Sequence, residues 1–164
     1  MACDIFLSYT DLKDLFGAVS EFRDHLENQV QRKTGKKLTV FQDKRGIHGG
    51  DKWDNILNNE LSSARLLIIL LSPTWLRSEW CRKEYTLFCR SGDAQLLRPV
   101  LPLMWDEILA HHIEKGSEAD SIYSELKEYQ ILDWTGFSDA DWRSPDTNKA
   151  AGKLAEEIDR LLAS

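Results

Sequence analysis

Leu66-Leu67-Ile68-Ile69-Leu70-Leu71, closed by Ser72-Pro73, is the stretch on which the fold turns. Apolar residues fill both parities of this run, so a strand here buries both faces, as strands do in the middle of a parallel sheet sandwiched between helices. Ser72-Pro73 then supplies an N-cap and a first-turn proline, and a helix is expected from there to about Cys89. Upstream, Asp51 to Ser63 has the helical period, with Trp53, Ile56, Leu57 and Leu61 on one stripe. Leu38 to Phe41 is a short β-rich run, Leu12 to Val30 is an amphipathic helix ended by Lys33-Thr34-Gly35-Lys36, and Ile5 to Tyr9 is the first strand. Downstream, Leu96 to Trp105 is apolar but carries Pro99 and Pro102, which argues for an edge-like or irregular strand. Asp106 to Lys127 reads as helix and loop, Gln130 to Asp133 as a short last strand, and Asn148 to Leu162 as a terminal amphipathic helix.

Strands and helices therefore alternate, which predicts an α/β doubly wound fold of about five mostly parallel strands with helices on both faces. Ligands of such sheets sit outside the carboxyl ends of the strands. The segments Ser8-Tyr9-Thr10-Asp11, Gln42-Asp43-Lys44-Arg45 and Ser72-Pro73-Thr74-Trp75 follow strands one, two and three and should converge on one crevice.

The 164 residues suit one domain, taken as residues 3–163 and expected to be a module of a longer chain. The net charge of −6 argues against direct nucleic-acid binding, because phosphate neutralisation needs a cationic excess. No apolar run approaches the length of a membrane span, and no basic segment precedes an apolar one near the N-terminus. Cys3, Cys81 and Cys89 have neither disulfide nor metal spacing and fit reduced thiols in the cytoplasm, so no metal is expected. Gly46-Ile47-His48-Gly49-Gly50-Asp51-Lys52 lacks phosphate-loop spacing, and no GxGxxG follows strand one. His25, His48, His111 and His112 show no ligand or triad pattern.

The third helix carries the informative anomaly. Its inward stripe, traced as Leu76, Trp80, position 84, Leu87 and Phe88, is broken by Glu84. One reading makes Glu84 a rim residue, or the partner of Arg77 or Arg65. The other makes it a carboxylate aimed into the crevice, with Trp80 one turn away on the same face. The glycine-rich segment from Lys44 to Lys52 is either a solvated connection or a contact loop.

Asp4-Ile5-Phe6-Leu7-Ser8-Tyr9 resembles the first box of Toll/interleukin-1 receptor (TIR) domains, and Val40-Phe41-Gln42-Asp43 resembles the end of their second strand. Leu66 to Ser72 followed by Pro73-Thr74-Trp75-Leu76-Arg77-Ser78-Glu79-Trp80-Cys81-Arg82-Lys83-Glu84 is similar to the third strand and helix of bacterial-type members. The resemblance spans about residues 3–134 and implies a flavodoxin-like sheet of parallel strands.

It also implies an activity. Enzymatic members hydrolyse NAD+ at the nicotinamide-ribose bond, and their WxxxE pattern falls on Trp80 to Glu84, which makes Glu84 the catalytic candidate. By family position Tyr9, Thr10, Asp43, Arg45, Trp53, Ser72 and Trp80 would bind the substrate. Thr10 stands where many members carry a basic residue, leaving Arg45, Lys44 or Lys13 to neutralise the pyrophosphate. Lys44, Gly46, Ile47, His48, Gly49 and Gly50 would form an assembly loop. The implied partners are NAD+ as substrate, with no separate cofactor, other TIR domains by self-association, and a fused or separate sensor domain. The implied biology is bacterial anti-phage defence. The competing expectation is a scaffold that only self-associates.

Overall fold

The computed structural model describes residues 3–10, 17–42, 51–90, 98–137 and 141–163, apart from the side chains of residues 51–54. In chain order the elements are β1 (Ile5–Ser8), α1 (Ala18–Thr34), β2 (Val40–Gln42), α2 (Asp51–Ser63), β3 (Leu66–Leu71), α3 (Pro73–Arg77), α4 (Glu79–Arg90), β4 (Val100–Met104), α5 (Glu118–Leu126), β5 (Leu132–Asp133) and α6 (Pro145–Ala163). The strands form one sheet in the order β2-β1-β3-β4-β5, parallel throughout. Chain direction across the sheet reverses between β1 and β3, which pair from Ile5 with Leu66 to Ser8 with Ile69. Their carboxyl ends are thus where an open α/β sheet forms its crevice.

The run that decided the fold behaves as its parity requires. Leu66, Ile68 and Leu70 enter a core built with Val19, Phe22 and Leu26 of α1 and Leu154 and Ile158 of α6. Leu67, Ile69 and Leu71 enter a second core with residues of α2, α3, α4 and α5. All six are fully buried, each contributing about 1.5–3 kcal/mol relative to an exposed side chain.

Three expectations need correction. β4 is an inner strand, paired with β3 from Leu67 and Val100 to Leu71 and Met104 and with β5 at its far end. Pro102 is tolerated because of register. The Leu67 N–H donates to the Pro99 carbonyl at 3.2 Å and the Trp105 N–H donates to that of Leu71 at 2.8 Å, so odd residues of this segment bond toward β3. The Trp134 N–H donates to the Met104 carbonyl at 2.9 Å, so even residues turn toward β5. Pro102 therefore points its missing donor at the side where pairing begins only at Leu103 and Leu132. The first helix starts at Ala18, after Gly17 in the left-handed region at φ 74°, and Leu12 to Phe16 of the expected helix lie outside the described residues. α6 starts at Pro145 rather than Asn148, proline being at home in a first turn.

Arg98, just before β4, ties three elements together. Its guanidinium donates to the carbonyls of Leu61 and Ala64, both at 2.7 Å, and to that of Phe88, and lies 3.9 Å from the centroid of the Phe88 ring. It thereby caps the carboxyl ends of α2 and α4, where carbonyls lack helical partners and cations are favoured. Arg98→Ala is expected to cost about 3 kcal/mol, which thermal unfolding would register as a fall of roughly 6–12 °C in Tm. Arg98→Lys should restore less than half, since an ammonium lacks the planar fork.

Candidate functional site

Glu84 lies on the inner face of α4, fully buried beside the carboxyl end of β1. The helix expected from Pro73 to Cys89 is in fact two, because Ser78 is extended and begins a new one. Its Oγ accepts from the Cys81 N–H at 3.2 Å, as an N-cap does. The break re-aims the second helix so that Cys81, Glu84, Tyr85 and Phe88 face inward. Trp80 is half-buried at the edge of that stripe, with the Lys83 ammonium 5.3 Å from its ring centroid. Trp80 and Glu84 thus stay one turn apart, but only Glu84 is sunk into the core.

Ser8, the last residue of β1, donates its hydroxyl to Glu84 Oε1 at 2.9 Å, and the indole Nε1 of Trp75 donates to Ser8 Oγ at 3.0 Å. Ser8 and Trp75 are also fully buried. The direction of this chain is fixed by chemistry. An indole N–H can only donate, so the Ser8 oxygen accepts from it and the Ser8 proton is committed to the carboxylate. A buried carboxylate without partners would be prohibitively costly, and a hydroxyl supplied by a strand and aligned by a neighbouring helix meets that need at Oε1. The rim reading of Glu84 does not hold, and Arg65 is engaged elsewhere, 3.8 Å from Asp4.

Around this chain the segments after β1 and β3 converge as expected. Ser72 caps α3 by accepting from the Trp75 N–H at 3.1 Å, and its Oγ lies 3.0 Å from Thr74 Oγ1. Thr74 Oγ1 in turn lies 3.3 Å from Thr10 Oγ1. Thr10, Ser72 and Glu84 are therefore brought to the same end and the same face of the sheet. Tyr9 is not: by strand alternation it joins Ile5 and Leu7 on the opposite face, where its hydroxyl accepts from Gln42 Nε2 at 3.3 Å. Its backbone does reach the site, the Tyr9 carbonyl accepting from Cys81 Sγ at 3.4 Å. Asp43, Lys44, Arg45, Gly46, Ile47, His48, Gly49 and Gly50, with Lys13, lie outside the described residues, as does the side chain of Trp53.

Neither Cys3 nor Cys89 fits a nucleophilic role: burial pushes the Cys3 thiol up to about 12 and raises that of Cys89 as well. Among the described residues no His, Cys, Asp or Glu cluster could hold a metal, and no helix is long and apolar enough to cross a membrane.

A five-stranded parallel sheet with helices on both faces and a polar site at the reversal of strand order defines a flavodoxin-like α/β domain. The family model described as "TIR domain" matches residues 5–144, and the chain belongs to that family. A protein described as "NAD(+) hydrolase TirS" from Staphylococcus aureus is 24% identical over 105 residues, which are 64% of this chain and 34% of that protein. The chain thus spans about a third of the length of the curated relative it matches. Among solved structures, the TIR domains of the activated Roq1 resistosome superpose with a TM-score of 0.57 at 15% identity, over 95% of this chain and 99% of theirs. The TIR domain of the Toll-related receptor TRR-2 from Hydra magnipapillata gives 0.52 at 13%, over 94% and 98%. One chain of the RPS4 and RRS1 TIR domain heterodimer gives 0.50 at 12%, over the whole of both. At these identities the structural likeness speaks for the fold.

Proposed function

We propose that this TIR domain is an NAD+ glycohydrolase in which Glu84 acts on the nicotinamide ribose. The observation that carries the reading is a fully buried carboxylate, hydrogen-bonded at one oxygen, at the carboxyl ends of the strands where chain direction reverses. Such a group costs stability and is retained where charge is needed. The likeness to an NAD(+) hydrolase over most of the chain supports the same substrate.

The chemistry demands little more than that one group. Nicotinamide departs from a positively charged glycosidic nitrogen as a neutral molecule, so no acid is needed to protonate it, unlike the paired carboxyls of ordinary glycoside hydrolysis. The ring left behind takes on oxocarbenium character, and a fixed negative charge lowers its energy. Water then adds to the anomeric carbon and releases one proton, giving ADP-ribose; capture by the adenine or a ribose hydroxyl gives a cyclic product.

Since Glu84 is wholly covered, a dinucleotide reaches it only after a rearrangement beside it. That supports switching by self-assembly, with the segment from Lys44 to Gly50 as the contact and a sensor domain as the trigger. An anti-phage effector is the biological role we attach to it. The alternative, a non-catalytic TIR-TIR scaffold, draws on the same complete burial, and the heterodimeric association of RPS4 and RRS1 TIR domains is its precedent. NAD+ loss with product separation, at high protein concentration and with a crowding agent, decides between them. Turnover by the wild-type chain and none by Glu84→Ala is the expected result; intact NAD+ with clustered protein would leave the scaffold.

A further inference from the structure

The α1 and α6 helices cover the face of the sheet opposite Glu84, and two adjoining hollows of about 550 and 460 Å3 lie along their seam, sharing Gln29, Arg32 and Asn148. At one end His25 lies flat on Trp142, ring centroids 4.5 Å apart and planes within 4°. Trp142 is braced in turn by Phe22 and Trp134, so the stack forms a supported aromatic platform. At the other end stand Arg32, Lys33, Lys149 and Lys153, against one carboxylate, Glu156, which is 3.7 Å from Lys33. In a chain of net charge −6 this is a local inversion of sign. Between the two ends, Gln29 Nε2 donates to Asn148 Oδ1 at 2.6 Å. That bond leaves Gln29 Oε1 as an acceptor and Asn148 Nδ2 as a donor where the hollows meet, the complement of an adenine edge.

His25, Asn28, Gln29 and Arg32 follow the i, i+3, i+4, i+7 pattern of one helix face. The rise from His25 to Arg32 is about 10 Å, the reach from the base to the second phosphate of an extended nucleoside diphosphate. Gly152 keeps the cationic end open, since a Cβ there would stand 3.1 Å from Lys33 Cε. We infer that the α1–α6 seam is a second nucleotide site, taking an adenine nucleoside di- or triphosphate with its base against His25 and its phosphates on Arg32, Lys33 and Lys149. It is separate from the site of Glu84 and does not depend on the chain's hydrolysing NAD+.

The test is ADP titration followed by NMR of side-chain amide and indole N–H groups and by calorimetry, with inorganic pyrophosphate as the charge control. The expected result is shifts centred on Trp142, Gln29 and Asn148, weakened by added salt. Arg32→Glu with Lys149→Glu should lose at least about tenfold in affinity, the worth of one charge-assisted bond. The Trp75 indole N–H, on the other face of the sheet beside Ser8, should not shift. Pyrophosphate binding as tightly as ADP would reduce the seam to a phosphate patch and overturn the nucleotide assignment. Shifts centred on the Trp75 indole with binding kept in the charge-reversed variant, or no binding at all, would overturn the site.

Discussion

Glu84→Gln is expected to reduce NAD+ loss by roughly two to three orders of magnitude while leaving thermal stability unchanged or raised. The two halves of that expectation have one cause. Glutamine keeps the volume of the side chain and an oxygen able to accept the Ser8 proton, now donated over 2.9 Å. What it removes is the charge. In water-excluded surroundings a fixed charge stabilises a developing oxocarbenium ion far more than it would in solution. The same charge is unfavourable for folding, because desolvating a carboxylate costs several kcal/mol before partners are counted. A glutamate retained for structure would show the reverse, with stability lost and any activity falling only as the folded fraction falls. Chromatography of NAD+ and its products beside a thermal melt of the same preparation separates the cases, and undiminished turnover in the folded variant would remove Glu84 from the mechanism.

Trp75→Ala should give the largest loss of stability. Among the described residues Trp75 is the largest of the fully buried side chains, set against Tyr85 with ring centroids 6.5 Å apart. Its truncation is expected to cost about 3–5 kcal/mol, a large share of the roughly 5–15 kcal/mol that holds a domain folded. That corresponds to a fall of roughly 6–20 °C in Tm. Trp75→Phe is the more informative variant, since it keeps a ring in the core but deletes the N–H that donates to Ser8 at 3.0 Å. The Ser8 proton is then free to turn away from Glu84. The expected result is a smaller loss of stability than in Trp75→Ala, with kcat falling while KM for NAD+ changes little. A Trp75→Phe protein with unchanged kcat would show that the indole acts through packing alone.

Much of the frame was legible in the chain because it rests on local rules. Six apolar residues on both parities can hardly be anything but a strand covered on both faces, and Leu66 to Leu71 is that strand. Glu84 was visible as a polar break in an apolar stripe. Its partner was not, because Ser8 meets Glu84 across 76 residues and Trp75 meets Ser8 across 67, and only the sheet brings the three together. The break at Ser78 did leave a trace, a capping serine followed by Glu79 in a first turn, but the continuous apolar period from Leu76 to Phe88 masked it. Tyr9 shares the parity of Ile5 and Leu7, a signal that sets its side chain on the far face. The place of Pro102 depends on which neighbour each residue bonds, and that is a property of the sheet rather than of the segment.

The outermost strands, β2 and β5, span only Val40–Gln42 and Leu132–Asp133. So few open backbone donors and acceptors make poor templates for a further strand from another molecule. The self-assembly proposed for this domain is therefore expected to grow through side chains on helices and loops, without a continuous sheet running between subunits. Such contacts depend on charge and shape at each interface, so the assemblies should dissolve again when salt rises, as an amyloid-like fibre does not.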